Sequence, residues 1–174
     1  MLKLSKALLI VAALFASLHV SAQGRIAVVN LEVAIMQTDE AQARMEALRN
    51  QEDYKSDKEE FDSLRAEYDE LVASIQKDMS VMSVDEQQNA RKKLASKQAD
   101  LEHVAGKLQQ AEQLAGQEIL QEMSAKVQEV LRDLISTEGI GLLLQRNSVI
   151  HADAGYSITA KVTDKLNQMA AKGE

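Results

Sequence analysis

The 174-residue sequence contains no proline, no cysteine and no tryptophan, and aromatic residues make up only 3% of it. Without cysteine, the chain can form no disulfide bond, no thiolate metal site and no thiol nucleophile. Aromatic side chains usually supply much of the buried area of a core, so a large compact core is not expected. Without proline, nothing interrupts a long helix. The formal net charge of −7 argues against nucleic-acid binding driven by phosphate contacts.

The first 22 residues are predicted to be a secretory signal peptide that is cleaved after Ala22. Lys3 and Lys6 give a basic start, an apolar run follows over residues 7–18, and Val20-Ser21-Ala22 supplies the cleavage site. The run is shorter than the roughly 18 apolar residues that a membrane span needs. The alternative is an uncleaved anchor. Cleavage would leave 18 basic and 27 acidic residues, a net charge of −9.

The N-terminal part after this leader predicts a strand and the start of the helical region. Ile26–Val29 is a β-branched run typical of a buried strand. Asn30 is a candidate N-cap for a short helix over residues 31–37. Thr38 or Asp39 offers the cap of a longer helix.

Residues 46–135 predict a helical hairpin, which we call the arm, with its tip at residues 80–83. Apolar residues recur at spacings of three and four on both halves, which is typical of a coiled coil. Ser83 and Glu86 fit a capping box that opens the second helix. The arm carries 12 basic and 20 acidic residues, a net charge of −8. The predicted seam residues are Phe61, Leu64, Tyr68, Leu71, Ile75 and Met79, then Leu101, Val104, Leu108, Ala111, Ala115, Ile119, Met123, Val127, Val130 and Leu134.

The C-terminal part predicts two more strands and a last helix. Gly139 is a natural helix stop. Strands are predicted over residues 140–145 and 149–152, on either side of a polar turn, with Ser157 as the cap of the last helix. Ile158, Val162, Leu166 and Met169 should share one face of that helix.

Residues 23–45 and 136–174 together form a predicted base of about 62 residues, which is marginal for a stable core. Three short strands would also leave edges that other copies can pair with. We therefore expect a homo-oligomer joined through its strands, with projecting arms. The residues expected in the strands of the base are Ile26, Val28, Val29, Leu142, Leu143, Leu144, Val149 and Ile150.

The order of these features resembles the Skp (OmpH) family. The resemblance covers the leader, the run Arg25-Ile-Ala-Val-Val-Asn30, the arm, the run Leu142-Leu-Leu-Gln-Arg-Asn-Ser-Val-Ile-His-Ala152, and Ile158-Thr-Ala-Lys-Val162. It implies an α+β fold in which trimerisation completes a small β-barrel base, with long antiparallel coiled-coil arms, or tentacles, around a cavity. It also implies a periplasmic, ATP-independent holdase chaperone that keeps unfolded outer-membrane proteins soluble for the outer-membrane assembly machinery. Family members are often basic, whereas this chain is acidic.

A holdase needs spread-out exposed apolar contacts, so apolar residues off the seam or near the tip are the candidates for client binding. Methionine suits such promiscuous surfaces because it is flexible. The alternative is that the residues near the tip only close the end of the arm. The candidates are Val72, Met79, Val81, Met82, Val84, Leu114 and Leu120.

One dense basic cluster and two glycines stand out within the arm. The cluster is Arg91, Lys92, Lys93 and Lys97, for which the resemblance suggests lipid or lipopolysaccharide contact. The alternative is a solvated helix face paired with Asp85 and Glu86. Gly106 and Gly116 either let the arm bend or pack closely against the first helix.

No pattern in the sequence favours an enzyme. His103 and His151 lack neighbours at ligand spacing, so no metal site and no cofactor are expected, and no nucleotide-binding loop of the G-x-x-x-x-G-K-[ST] type is present. The expected partners are further copies of the chain, unfolded β-barrel proteins and, weakly, anionic lipid. The alternative function is a structural coiled-coil adaptor or tether in the periplasm.

Overall fold

The computed structural model describes residues 24–173, so the predicted leader lies outside the described residues. Two strands and five helices follow one another, with two short 3-10 turns at Arg146–Ser148 and Ala154–Tyr156. The protein is mostly helical with one small sheet, as an α+β fold with long helices requires. The elements are β1 (Arg25–Val29), α1 (Leu31–Met36), α2 (Asp39–Arg49), α3 (Glu52–Asp78), α4 (Val84–Thr137), β2 (Ile140–Gln145) and α5 (Thr159–Lys172).

The predicted caps fix where the helices begin and end. Asn30 accepts a hydrogen bond from the backbone N–H of Val33, and Thr38 accepts one from Ala41. Both halves of the predicted capping box between Ser83 and Glu86 are present at the start of α4. Gly139 adopts a positive φ of 62° just past the end of α4, a left-handed conformation that glycine enters without a Cβ clash.

The sheet has two parallel strands, β1 and β2. Its register shifts at Gly141, because Arg25 pairs with Ile140 and Ile26 already pairs with Leu142. The backbones of Gly24 and Gly141 approach so closely that a Cβ built on Gly141 would lie 2.8 Å from the Cα of Gly24. On the other edge of β1, Ser157 forms a parallel bridge to Val28.

The predicted strand over residues 149–152 is wrong for the single chain. After β2 the backbone enters a 3-10 turn, and the Val149 N–H bonds back to the Arg146 carbonyl at 3.3 Å. Ile150 is fully exposed. A strand signal needs a surface to cover, and the part of the chain that the structure describes offers none to this segment.

The core lies where the sheet, α1, α2 and α5 pack against the last third of α4. From α4 it takes Ile119, Met123, Val127, Val130 and Leu134, which are all buried. These residues fall within the range 46–135 that we assigned to the arm, so the root of the arm is part of the core. Ile158, Val162 and Leu166 bury one face of α5, as predicted. That helix begins at Thr159 with Ile158 as its N-cap, one residue later than predicted from Ser157.

The arm pairs α3, of 27 residues, with the first part of α4, of 54 residues. At about 1.5 Å per residue α4 is roughly 80 Å long. The predicted first helix is not continuous, because it is interrupted at Asn50 and Gln51 between α2 and α3. No residue of α3 is buried. No helix within residues 24–173 is both long and apolar enough to cross a membrane.

Candidate functional site

The end of the arm carries the most exposed apolar side chains of the helical hairpin. Val81 and Val84 are 82% and 81% exposed, and Met79 is 53% exposed. The capping box fixes this turn, because Glu86 accepts from the Ser83 N–H at 2.7 Å and from its hydroxyl at 2.8 Å. The bond from the Ser83 backbone lowers the pKa of Glu86. The tip is therefore an ordered turn that presents apolar side chains to solvent.

The other candidate residues are less uniform than the sequence suggested. Met82 is half-buried and lines a groove between α3 and α4 with Leu71 and Ile75. Val72 is also half-buried, on α3. Leu114 is 52% exposed, whereas Leu120 is partly buried and packs against the core. The structure thus leaves Met79, Val81, Val84 and Leu114 as the more accessible members of the set.

Ion pairs run across the two helices of the arm. Lys97 pairs with Glu67 and Lys107 pairs with Asp57, both between α3 and α4. The hydrogen bond from Lys97 holds the pKa of Glu67 below its ordinary value, and the bond to Asp57 raises the pKa of Lys107. Since α3 buries no residue, these pairs and the half-buried seam hold the hairpin closed.

A further contact bridges the interruption between α2 and α3. The Tyr54 hydroxyl donates to Glu112 at 2.9 Å, and Arg49 donates to the same carboxylate oxygen at 3.4 Å. Partial burial, followed by the bond to Glu112, raises the pKa of Tyr54. The sequence gives no signal for this contact, because residues 58 positions apart meet only through the hairpin.

The basic cluster is split by the fold. Lys97 faces α3 and pairs with Glu67. Within residues 24–173, Arg91, Lys92 and Lys93 have no acidic partner within 4.0 Å, and Asp85 and Glu86 do not pair with them as the alternative required. Lys93 lines the groove between α3 and α4.

The two glycines of α4 have open space around them. A Cβ added at Gly106 or Gly116 would meet no heavy atom within 4 Å. Close packing of α3 therefore does not explain why glycine occupies these two positions. Arm flexibility stays a prediction.

The base exposes an edge as well as apolar side chains. Within the described chain β2 pairs only with β1, so its outer edge is open. Ile26 and Leu142 are 46% and 48% exposed, and Ile150 is fully exposed. Val28 and Val29 are buried instead, whereas Leu143, Leu144 and Val149 are partly buried.

One ionic cluster of the base was not predicted. Arg25 and Lys161 both donate to Glu138, at 2.5 and 2.6 Å, and join β1, the end of α4 and α5. The bond from Lys161 is the main reason why the pKa of Glu138 is lowered. Three residues this far apart in the sequence give no local signal.

Neither histidine after the leader lies in a catalytic or metal-binding arrangement. His151 Nε2 lies 3.2 Å from Asp153 Oδ1 in an exposed pair, and His103 lies on α4. Among residues 24–173 no group of three or more His, Asp or Glu residues is placed to hold a metal ion.

Comparisons with known proteins match nearly the whole described chain. The family described as "Outer membrane protein (OmpH-like)" matches residues 25–166. A Skp-like protein of Pseudomonas aeruginosa is 22% identical over 169 residues, which cover 97% of this chain and 99% of that protein. A crystal structure from Caulobacter crescentus, described there as a candidate OmpH-like outer membrane chaperone, has a TM-score of 0.46 and 16% identity. It covers 83% of this chain and 85% of that one.

Proposed function

The chain belongs to the OmpH-like outer membrane protein family, and from that premise we propose that it is a chaperone. In finer terms, we propose an ATP-independent holdase in the periplasm. It would bind unfolded outer-membrane proteins between its arms and keep them soluble for delivery to the assembly machinery. Such a role needs contact surface and no catalytic constellation.

The exposed apolar tip is the observation that carries this proposal. Val81 and Val84 are each more than four-fifths exposed at the end of a hairpin whose first helix buries no residue. Exposed apolar side chains that cluster in one place commonly mark an interaction site. Spread thinly along an arm, they suit weak contacts with many unfolded sequences.

Assembly into a homotrimer is part of the proposal. The open outer edge of β2 and the exposed Ile26, Leu142 and Ile150 support it, because both backbone and side chains there are available to another copy. Three arms on a shared base would enclose a cavity. The segment at residues 149–152 would then have a partner strand outside its own chain.

The proposed location rests on the leader at residues 1–22, which lies outside the described residues. N-terminal sequencing of the exported protein tests it, and a mature chain that begins at Gln23 is the expected result.

A test of the tip replaces Met79, Val81 and Val84 with serine and measures light scattering when a denatured outer-membrane protein is diluted into buffer. The variant should suppress aggregation less than the wild type, because the apolar contacts are lost. The matched control changes three exposed alanines of the arm, Ala66, Ala73 and Ala99, to serine. Equal suppression by all three proteins, with the oligomer intact, would remove the tip from the binding surface.

The tether alternative makes the opposite prediction in the same assay. A tether binds one folded partner and leaves the scattering of a denatured protein unchanged. Suppression by the wild type at about one client per oligomer therefore supports the chaperone and excludes the tether.

Contact with anionic lipid is a second candidate property. Arg91, Lys92 and Lys93 support it, because they lack acidic partners among the described residues. The net charge of −8 on the arm opposes it, although screening limits that field to about 10 Å at 0.1 M salt. Loss of vesicle binding after substitution of these three residues by glutamine is expected, and unchanged binding to vesicles of anionic phospholipid or lipopolysaccharide would contradict it.

A further inference from the structure

A groove of about 430 Å³ lies between α2 and α4 at the root of the arm, beside the interruption at Gln51. Three alanines, Ala47, Ala111 and Ala115, leave room for it, and Leu48, Leu114 and Ile119 supply its apolar walls. Its volume falls within the range of about 300–1,000 Å³ that is common for ligand sites. The root of the arm therefore offers an apolar surface that is separate from the tip.

Leu114 marks this groove as unfilled. It is 52% exposed, although Ile119, five residues further along the same helix, is only 1% exposed and belongs to the core. Ala47 is exposed at the rim. This apolar depression continues from the core to a half-exposed leucine. Covering it with another apolar side chain removes apolar surface from water and is therefore favourable.

One basic and one acidic side chain line the groove, and they differ in how far their charges are already paired. Arg44 lines it, but its guanidinium already donates to both Glu40 and Glu122, and the bond to Glu122 raises its pKa. Glu118 also lines the groove and has no cationic partner within 4.0 Å among residues 24–173. Lys126 also pairs with Glu40, at 3.7 Å, so Arg44, Lys126 and the three glutamates sum to a net charge of −1, and Glu118 is the carboxylate left without a cation.

We propose that this groove binds an extended segment of an unfolded polypeptide in which an apolar side chain lies next to a lysine or arginine. The apolar side chain would cover Leu114 and the alanines, and the cation would pair with Glu118. This inference rests on the proposed chaperone function and adds the class of client segment. It gives the acidic charge of the arm a function in client binding. Opposite charge speeds the encounter with basic client segments and discriminates against acidic ones.

Two pairs of variants separate the effect of the groove from the long-range electrostatic attraction of the whole protein. Ala47→Tyr fills the groove, whereas Ala43→Tyr places the same ring on an exposed alanine of α2 that does not line it. Glu118→Gln removes the free carboxylate, whereas Glu129→Gln removes an exposed carboxylate of α4 outside the groove. Each pair has equal net charge, so long-range steering is matched.

The probes are two labelled 12-residue peptides that alternate leucine with lysine or with glutamate, and fluorescence anisotropy measures their binding. The leucine–lysine peptide should bind more tightly at low salt. Ala47→Tyr should weaken its binding about tenfold and Glu118→Gln about threefold, in line with one exposed ion pair. The two control variants should match the wild type. Equal binding by both members of each pair would overturn the inference and leave only long-range attraction.

The same variants in the light-scattering assay separate the two proposals. If the wild type suppresses aggregation and Ala47→Tyr weakens peptide binding, both proposals are supported. If the wild type suppresses aggregation but no groove variant changes peptide binding, the groove inference fails and the chaperone proposal stands. If the wild type leaves scattering unchanged, the chaperone proposal fails, and with it the client role of the groove.

Discussion

Gly24 and Gly141 show how the absence of a side chain sets the pairing of β1 and β2. Their backbones approach more closely than any Cβ allows, at the point where the register shifts. Gly141 therefore allows the close approach of the two backbones in the sheet of the base.

Gly141→Ala should lower the free energy of unfolding by about 1–3 kcal/mol, because its methyl group would meet the Gly24 backbone and force the strands apart. Urea titration followed by circular dichroism measures the change. Gly155→Ala is the control, since a Cβ there meets no atom within 4 Å. Equal stability of the two variants would contradict the requirement for glycine at this close approach.

The pair of Lys97 with Glu67 makes the arm sensitive to acid. The folded pKa of Glu67 lies below its ordinary value of 4.5, so its stabilising contribution is present above pH 4.5 and is lost as the pH falls through the folded pKa. Lys107 has the opposite sign. Its pKa is raised, so its contribution is present up to pH 10.5 and is lost above that.

Lys97→Gln should therefore lower the thermal midpoint at pH 7 but leave it equal to that of the wild type near pH 2. Lys77→Gln removes the same charge from an exposed lysine without an ion pair among the described residues and serves as the control. Thermal melts at both pH values measure the effect. A difference between wild type and Lys97→Gln that persists unchanged at pH 2 would show that packing, and not the ion pair, is responsible.

Among the elements, the two helices of the arm contribute unequally to the fold. The long helix α4 runs from the tip into the core, whereas α3 packs mainly on α4 and buries none of its residues. Local stability should therefore fall from the root of the arm to its tip. Gly106 and Gly116 lower the local stability of α4 further, because glycine has a low helix propensity. No neighbouring atom lies within 4 Å of a Cβ built at either position, so packing does not offset this loss.

Changing both glycines to alanine should stabilise α4 by up to about 1 kcal/mol each, since alanine has the higher helix propensity and finds free space. The spread of distances between spin labels on two arms of the oligomer should narrow. Unchanged distance distributions, with the expected gain in stability, would show that bending arises elsewhere, with the interruption at Asn50 and Gln51 as the next candidate.

At the scale of the whole molecule, the small base has an open strand edge that further copies of the chain could cover. The core combines a two-stranded sheet with parts of four helices, and the outer edge of β2 stays open. Further copies would cover both this edge and the exposed Ile150. Oligomerisation is a common remedy for so small a base.

Size-exclusion chromatography with light scattering should give three times the chain mass. Leu142→Glu together with Ile150→Glu should shift it toward one chain mass, because charges at a paired edge oppose association. Val84→Glu, at the far end of the arm, should leave the trimer intact. A wild type that is monomeric at micromolar concentration would contradict the proposed assembly.

Local signals in the sequence determined most of the helical architecture. Asn30, Thr38 and the pair Ser83 and Glu86 mark helix starts because their caps need only neighbours along the chain. The spacing of apolar residues likewise predicted the seam of α4 and the buried face of α5. The exposed tip followed from the same pattern.

Only the tertiary structure decided the features that depend on distant partners. The strand over residues 149–152 is absent because residues 24–173 give this segment no surface to cover, although its sequence favours a strand. The cluster around Glu138 and the bond from Tyr54 to Glu112 join residues far apart in sequence, so no local pattern predicts them. The groove at Leu114 exists because Ala47 near the end of α2 lies across from Ala111 and Ala115 of α4, a consequence of packing between helices that spacing alone does not reveal.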